Sequence, residues 1–66
     1  SVSPELRDEV FRTVKSYQQK RRYLMSKGVS KGALPANVTT RKLLTAYENN
    51  PSDLQKRLNQ LKRTTR

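Results

Sequence analysis

Residues 3–28 read SPELRDEVFRTVKSYQQKRRYLMSKG, and the fold of the whole chain turns on this stretch. Ser3 is a good N-cap, and Pro4 fits the first helical position, where its missing N–H costs nothing. Glu5, Asp8 and Glu9 then occupy the first two turns, the end at which the helix dipole favours negative charge. Leu6, Val10, Val14, Tyr17 and Leu24 recur at helical spacing, interrupted by Arg21, and Phe11 and Met25 widen the stripe. Lys20, Arg21, Arg22 and Lys27 fall toward the far end, where cations are favoured. Gly28 can adopt the left-handed cap conformation, with Val29 folding back on the last turn. Together these signals predict a helix from about residue 4 to about residue 27.

The remainder reads as a loop and two short helices. Gly32 and Pro35 punctuate residues 28–38, and Pro35 disfavours helix at Leu34. Leu34 and Val38 are expected to tuck that loop into the core. Thr39 is a plausible N-cap for a helix over about 40–48 carrying Leu43, Leu44, Ala46 and Tyr47, stopped by Asn49-Asn50-Pro51. Ser52 with Gln55 forms a capping-box pattern ahead of Leu54, Leu58 and Leu61, which share one helical face. An alternative start has Asn50 as the cap and Pro51 first in the helix. This last helix is expected over about 52–63, with Thr64 to Arg66 fraying. The expectation is a single all-α, three-helix domain, its long N-terminal helix packed against a short helix-turn-helix pair.

Such a chain has a thin core. At 66 residues, with 32% of them apolar, it buries roughly 60% of the surface its unfolded form exposes. Neither cysteine nor histidine is present, so no disulfide staples the fold and no Cys/His metal site can form. The usual general bases and thiol nucleophiles are missing as well, and the two glycines, Gly28 and Gly32, build no phosphate loop. No enzyme activity, catalytic residue, cofactor, metal or small-molecule substrate is therefore expected. No apolar run is long enough to cross a membrane, and the opening residues lack the apolar stretch of a signal peptide. The expectation is a soluble intracellular protein of the cytoplasm or nucleoid, or of the nucleus in a eukaryote, with no membrane partner.

Charge is the strongest functional signal. Fifteen Lys and Arg against five Asp and Glu give a formal net charge of +10. Nine of the cations lie between Val10 and Tyr47 with no carboxylate among them, and five more follow Asp53 with none. Chains that use charge for solubility or helix support interleave the signs. Segregated, unpaired cations point to a polyanion, and a pI near 10.8 agrees with that reading. The candidates for phosphate binding are Lys15, Lys20, Arg21, Arg22, Lys27, Lys31, Arg41, Lys42, Lys56, Arg57, Lys62 and Arg63. Lys15 and Arg22, seven residues apart, share a helix face, with Gln18 and Gln19 near it. Lys20, Arg21 and Arg22 fan over about 200° and cannot all face one strand. If the last helix entered a major groove, Gln55, Asn59 and Gln60 would be candidates for base readout. Tyr23, beside Arg22, is the one aromatic placed to stack an unpaired base, although a tyrosine at the core margin fits its position too.

Leu34-Pro35-Ala36-Asn37-Val38-Thr39, continuing through Arg41, Leu43, Ala46-Tyr47, Asp53-Leu54, Arg57-Leu58 and Leu61, resembles short basic helical modules of phage-encoded DNA-processing proteins, of terminal-protein or endonuclease-accessory type. Residues 38–61 are also similar to the SAP two-helix DNA-binding motif. They depart from it at Glu48-Asn49-Asn50-Pro51, which replaces a glycine-bearing linker. The resemblance implies a DNA-binding function. Sequence and resemblance together lead to a nucleic-acid-binding module, DNA preferred and RNA admissible, whose binding is phosphate-led. The competing expectation is a protein–protein docking module or a component of a larger assembly such as a virion. In that case the stripe from Leu6 to Leu24 would face the partner.

Overall fold

A computed structural model describes residues 2–34 and 36–64. The domain is all-α: α1 spans Pro4–Ser26, α2 Thr40–Ala46 and α3 Pro51–Thr64, with a 3-10 turn at Lys31–Ala33. Both short helices pack against α1, which serves as the spine of a body measuring 39 × 18 × 18 Å. The pair α2–α3 thus keeps the order short helix, turn, longer helix, but is held together mainly through α1.

The ends of α1 form as the sequence predicts. Ser3 Oγ accepts from the Leu6 N–H at 3.1 Å, and Pro4 opens the helix. At the other end Gly28 takes φ 96°, the Gly28 N–H donates to the Met25 carbonyl and the Val29 N–H to the Leu24 carbonyl. These two bonds are the Schellman pattern, which satisfies carbonyls that the helix leaves open. A Cβ built on Gly28 would meet nothing within 4 Å, so only the backbone resists substitution there. Gly28→Ala is accordingly expected to destabilise by about 1–2 kcal/mol. For a domain of this size that is a fall in melting temperature of about 4–8 °C per kcal/mol. A thermal melt with an unchanged midpoint would show that the cap does not depend on this residue.

The remaining boundaries differ by a few residues from expectation. Thr39 caps α2 through its Oγ1, which accepts from the Lys42 N–H at 3.1 Å. The helix ends at Ala46, sooner than expected, because the Asn50 N–H turns back to the Tyr47 carbonyl at 2.9 Å. Asn50 caps α3, accepting from the Asp53 N–H at 3.4 Å and donating its amide to Asp53 Oδ2 at 2.7 Å. The Ser52–Gln55 box is therefore not the start of this helix; the Asn50–Pro51 alternative is. Thr64 still belongs to α3, and Thr65 and Arg66, where fraying was expected, lie outside the described residues.

The core consists of Val10, Val14 and Tyr17 from α1, Val38 from the loop, Leu43 from α2, and Leu54, Leu58 and Leu61 from α3. Val2, Leu6, Leu44 and Tyr47 pack around its margin. Thr13, which the apolar pattern passes over, is buried with them. Phe11 and Met25 do not widen the buried stripe: they are 58% and 40% exposed. Two short helices cover only one side of α1, and Phe11 is about a quarter turn away from Val10. Leu34 and Leu24 are half-buried, outside the central cluster. The loop is secured instead by Val38 and by Gln18, whose Nε2 donates to the Val38 carbonyl at 2.7 Å. Gln18 thus has a structural partner and does not belong to an outward ridge.

Candidate nucleic-acid interface

The tertiary fold sorts the charges by position. Glu5, Asp8 and Glu9 line one depression near the start of α1, together with Arg12, Thr13 and Lys62. Glu48, from the far end of α2, shares a groove with Val2 and Arg7 at that same end. Gln55, two residues beyond Asp53, reaches Glu9 with its amide at 2.8 Å. Glu5, Asp8, Glu9 and Glu48 therefore lie by the N-terminal half of α1, while Asp53 lies on α3 in a groove with Lys56, Arg57 and Arg63. The distal half of α1 carries Lys15, Lys20, Arg21, Arg22 and Lys27, and the Gln18–Val38 bond draws the segment leading into Arg41 and Lys42 against it.

Within that distal region Lys15, Arg22, Lys27, Lys31, Arg41 and Lys42 are exposed, while Lys20 and Arg21 are half-buried. Arg21 Nη1 lies 3.4 Å from Met25 Sδ, one turn on. Lys20 Nζ and Lys27 Nζ stand 5.3 and 5.6 Å from the centre of the Tyr23 ring. Tyr23 itself is 53% exposed, so it stands out from the surface and not at the core margin. On α3, Lys56 and Arg63 are exposed, and Arg57 donates to Gln60 Oε1 at 2.8 Å. These residues, with Tyr47 and Asp53, line a shallow groove on the outer side of the helix.

Among the nominated cations, Lys62 is placed by the fold against a carboxylate. Its Nζ meets Glu9 Oε2 at 2.8 Å, the one salt bridge between described residues. Gln55 and Asn59, two candidates for base readout, are joined to each other at 3.3 Å, and Gln55 also holds Glu9. Asn59 and Gln60 remain exposed, whereas Gln55 is half-buried. Arg7 and Arg12, absent from the sequence-based set, are exposed too but sit among the carboxylates. The signal for leaving Arg12 aside is its spacing, four residues from Asp8 and three from Glu9, which puts all three on one helix face.

The hydrogen bonds from Lys62 and Gln55 hold the Glu9 carboxyl below its ordinary pKa of 4.5, against a smaller opposing effect of burial. A lowered carboxylate pKa contributes stability that is present above the unfolded-state value and is lost as pH falls through the folded-state value. With the Lys62 and Glu9 side chains 46% and 34% exposed, solvent screening limits the pair to less than about 1 kcal/mol. Melts of the parent and of Glu9→Gln should therefore differ at neutral pH and converge as pH falls below 4.5 and through the lowered Glu9 value. A gap that persists at low pH would mean that Glu9 acts through packing.

The apolar stripe of α1 is not available to an outside partner. Val10, Val14 and Tyr17 are at most 2% exposed in the chain's own core, so docking through that face would require α2 and α3 to detach. Among the described residues, no helix is long and apolar enough to cross a membrane. The chain matches no protein-family model, and comparisons with curated proteins and with solved structures find no relative.

Proposed function

We propose that this chain is a nucleic-acid-binding module, with DNA as the first partner, that holds phosphates electrostatically and does so without catalysis. The observation that carries the reading is the segregation of charge. Lys15, Lys20, Arg21, Arg22, Lys27, Lys31, Arg41 and Lys42 come from the distal half of α1 and the segment that follows it to the start of α2, a stretch with no carboxylate, and the Gln18–Val38 bond ties that segment to α1. Holding so many like charges together weakens a small fold, and a polyanion removes that repulsion. Lys56, Arg57 and Arg63 form a second basic group on α3, in a groove that Asp53 shares.

Binding of this kind follows the backbone and not the base sequence. It also releases condensed counterions, so the logarithm of affinity should fall with the logarithm of salt at a slope of about −0.9 per neutralised phosphate. The test is a titration of labelled duplex DNA, single-stranded DNA and structured RNA against the chain at low and physiological salt. Steep salt dependence with any of the three supports phosphate-led binding, and the order of affinities identifies the partner. A flat dependence on all three overturns it.

A further inference from the structure

On the outward side of α1, Ser16, Gln19 and Lys20 line a shallow depression beside the Tyr23 ring. Gln19, Tyr23 and Lys27 lie four residues apart and follow one another along a single helix face. Tyr23 is 53% exposed, and ammonium groups approach its ring from one turn to either side, Lys20 at 5.3 Å and Lys27 at 5.6 Å. An aromatic ring raised from the surface, with a cation on each side and an amide next to it, combines a stacking face with phosphate contacts and a polar group at base-edge height. Exposed cation–π contacts are weak, so an incoming base can displace the ammonium groups, which then turn to phosphates.

Resting on the phosphate-led reading above, we infer that Tyr23 is a stacking platform for an unpaired base of single-stranded DNA, with Lys20 and Lys27 on the flanking phosphates and Gln19 at the base edge. Bases inside a duplex are stacked on one another and offer no free face to a ring on a convex helix surface. The site therefore discriminates single strand from duplex. It is open and lined by few groups, so it tolerates any base.

The experiment compares the parent chain with Tyr23→Phe, Tyr23→Ala and Tyr23→Trp, on labelled oligothymidylate and on a duplex of equal length at one salt concentration. The residue is exposed and alanine is the best helix former, so the variants should stay folded, as circular dichroism would verify. Tyr23→Ala is expected to weaken oligothymidylate binding by about fivefold to about 150-fold, with duplex affinity unchanged within about twofold. Tyr23→Phe should retain both. The native chain has no tryptophan, so Tyr23→Trp provides a single reporter whose emission oligothymidylate should quench and duplex should not. Equal losses on both ligands, no loss on either, or an unquenched tryptophan each overturn the stacking role. If the salt-dependent duplex binding survives while Tyr23→Ala leaves the single strand unaffected, stacking alone is lost. If the parent binds neither ligand, the phosphate-led reading falls with it.

Discussion

Replacing Leu58 by alanine is expected to unfold most of this chain at room temperature. Leu58 is fully buried at the middle of α3, between Leu54 and Leu61, on the face that closes over Val10, Val14 and Tyr17. Truncating a buried leucine to alanine removes transfer free energy and leaves a cavity, together about 2–5 kcal/mol. A single core in a domain this small rarely supplies more than about 3–5 kcal/mol in all, and there is no disulfide to supplement it. Phe11→Ser is the informative contrast. Phenylalanine is the larger side chain, but at 58% exposure its removal should shift stability by no more than about 0.5 kcal/mol. Urea titrations followed by far-ultraviolet circular dichroism would compare the two. A Leu58→Ala chain that keeps the parent's midpoint would show that α3 does not secure the fold.

The second large effect concerns affinity. If six to ten phosphates are engaged, duplex affinity of the parent should drop by about 10³ to 10⁵ between 50 and 200 mM salt. Lys15, Arg22 and Arg41 are exposed and belong to the stretch between Val10 and Tyr47 that has no carboxylate. Changing all three to glutamine should make the salt slope shallower by about 0.9 per cation removed. The triple variant lowers the formal charge from +10 by three, which relieves self-repulsion, so weaker binding could not be ascribed to unfolding. Lys62→Gln should change the slope less, because Lys62 is already paired with Glu9. A triple variant with the parent's slope would place the interface elsewhere.

Much of the fold was legible in the chain because the deciding signals are local. Ser3-Pro4, Gly28-Val29 and Thr39 each act on backbone groups within a few residues, and the structure uses all three as caps. The Ser52–Gln55 pattern failed for the same reason that it looked persuasive: capping boxes depend on local geometry, and Asn50 offered an equivalent cap two residues earlier. Phe11 and Met25 were misread because periodicity ranks the residues of a face without stating how much of it other helices will cover. Thr13 shows the converse, a hydroxyl residue buried because of its position on the stripe.

The candidate site was legible as an inventory of residues and not as an arrangement. That most cations lack nearby carboxylates in the chain follows from composition and order, and so does the absence of histidine and cysteine. Which cations share a surface is a property of packing. Lys62 and Glu9 are 53 residues apart in sequence and meet only because α3 lies across α1. Gln55 reaches the same carboxylate across 46 residues, and Gln18 is drawn to the loop at Val38 across 20. The sequence by itself determined three helices, their caps and a surplus of positive charge, since propensity, capping and net charge act locally or sum over residues. Tertiary structure alone decided which face was buried, which cation found a carboxylate and where the acidic end lies. Those outcomes depend on distances between side chains that no local rule specifies.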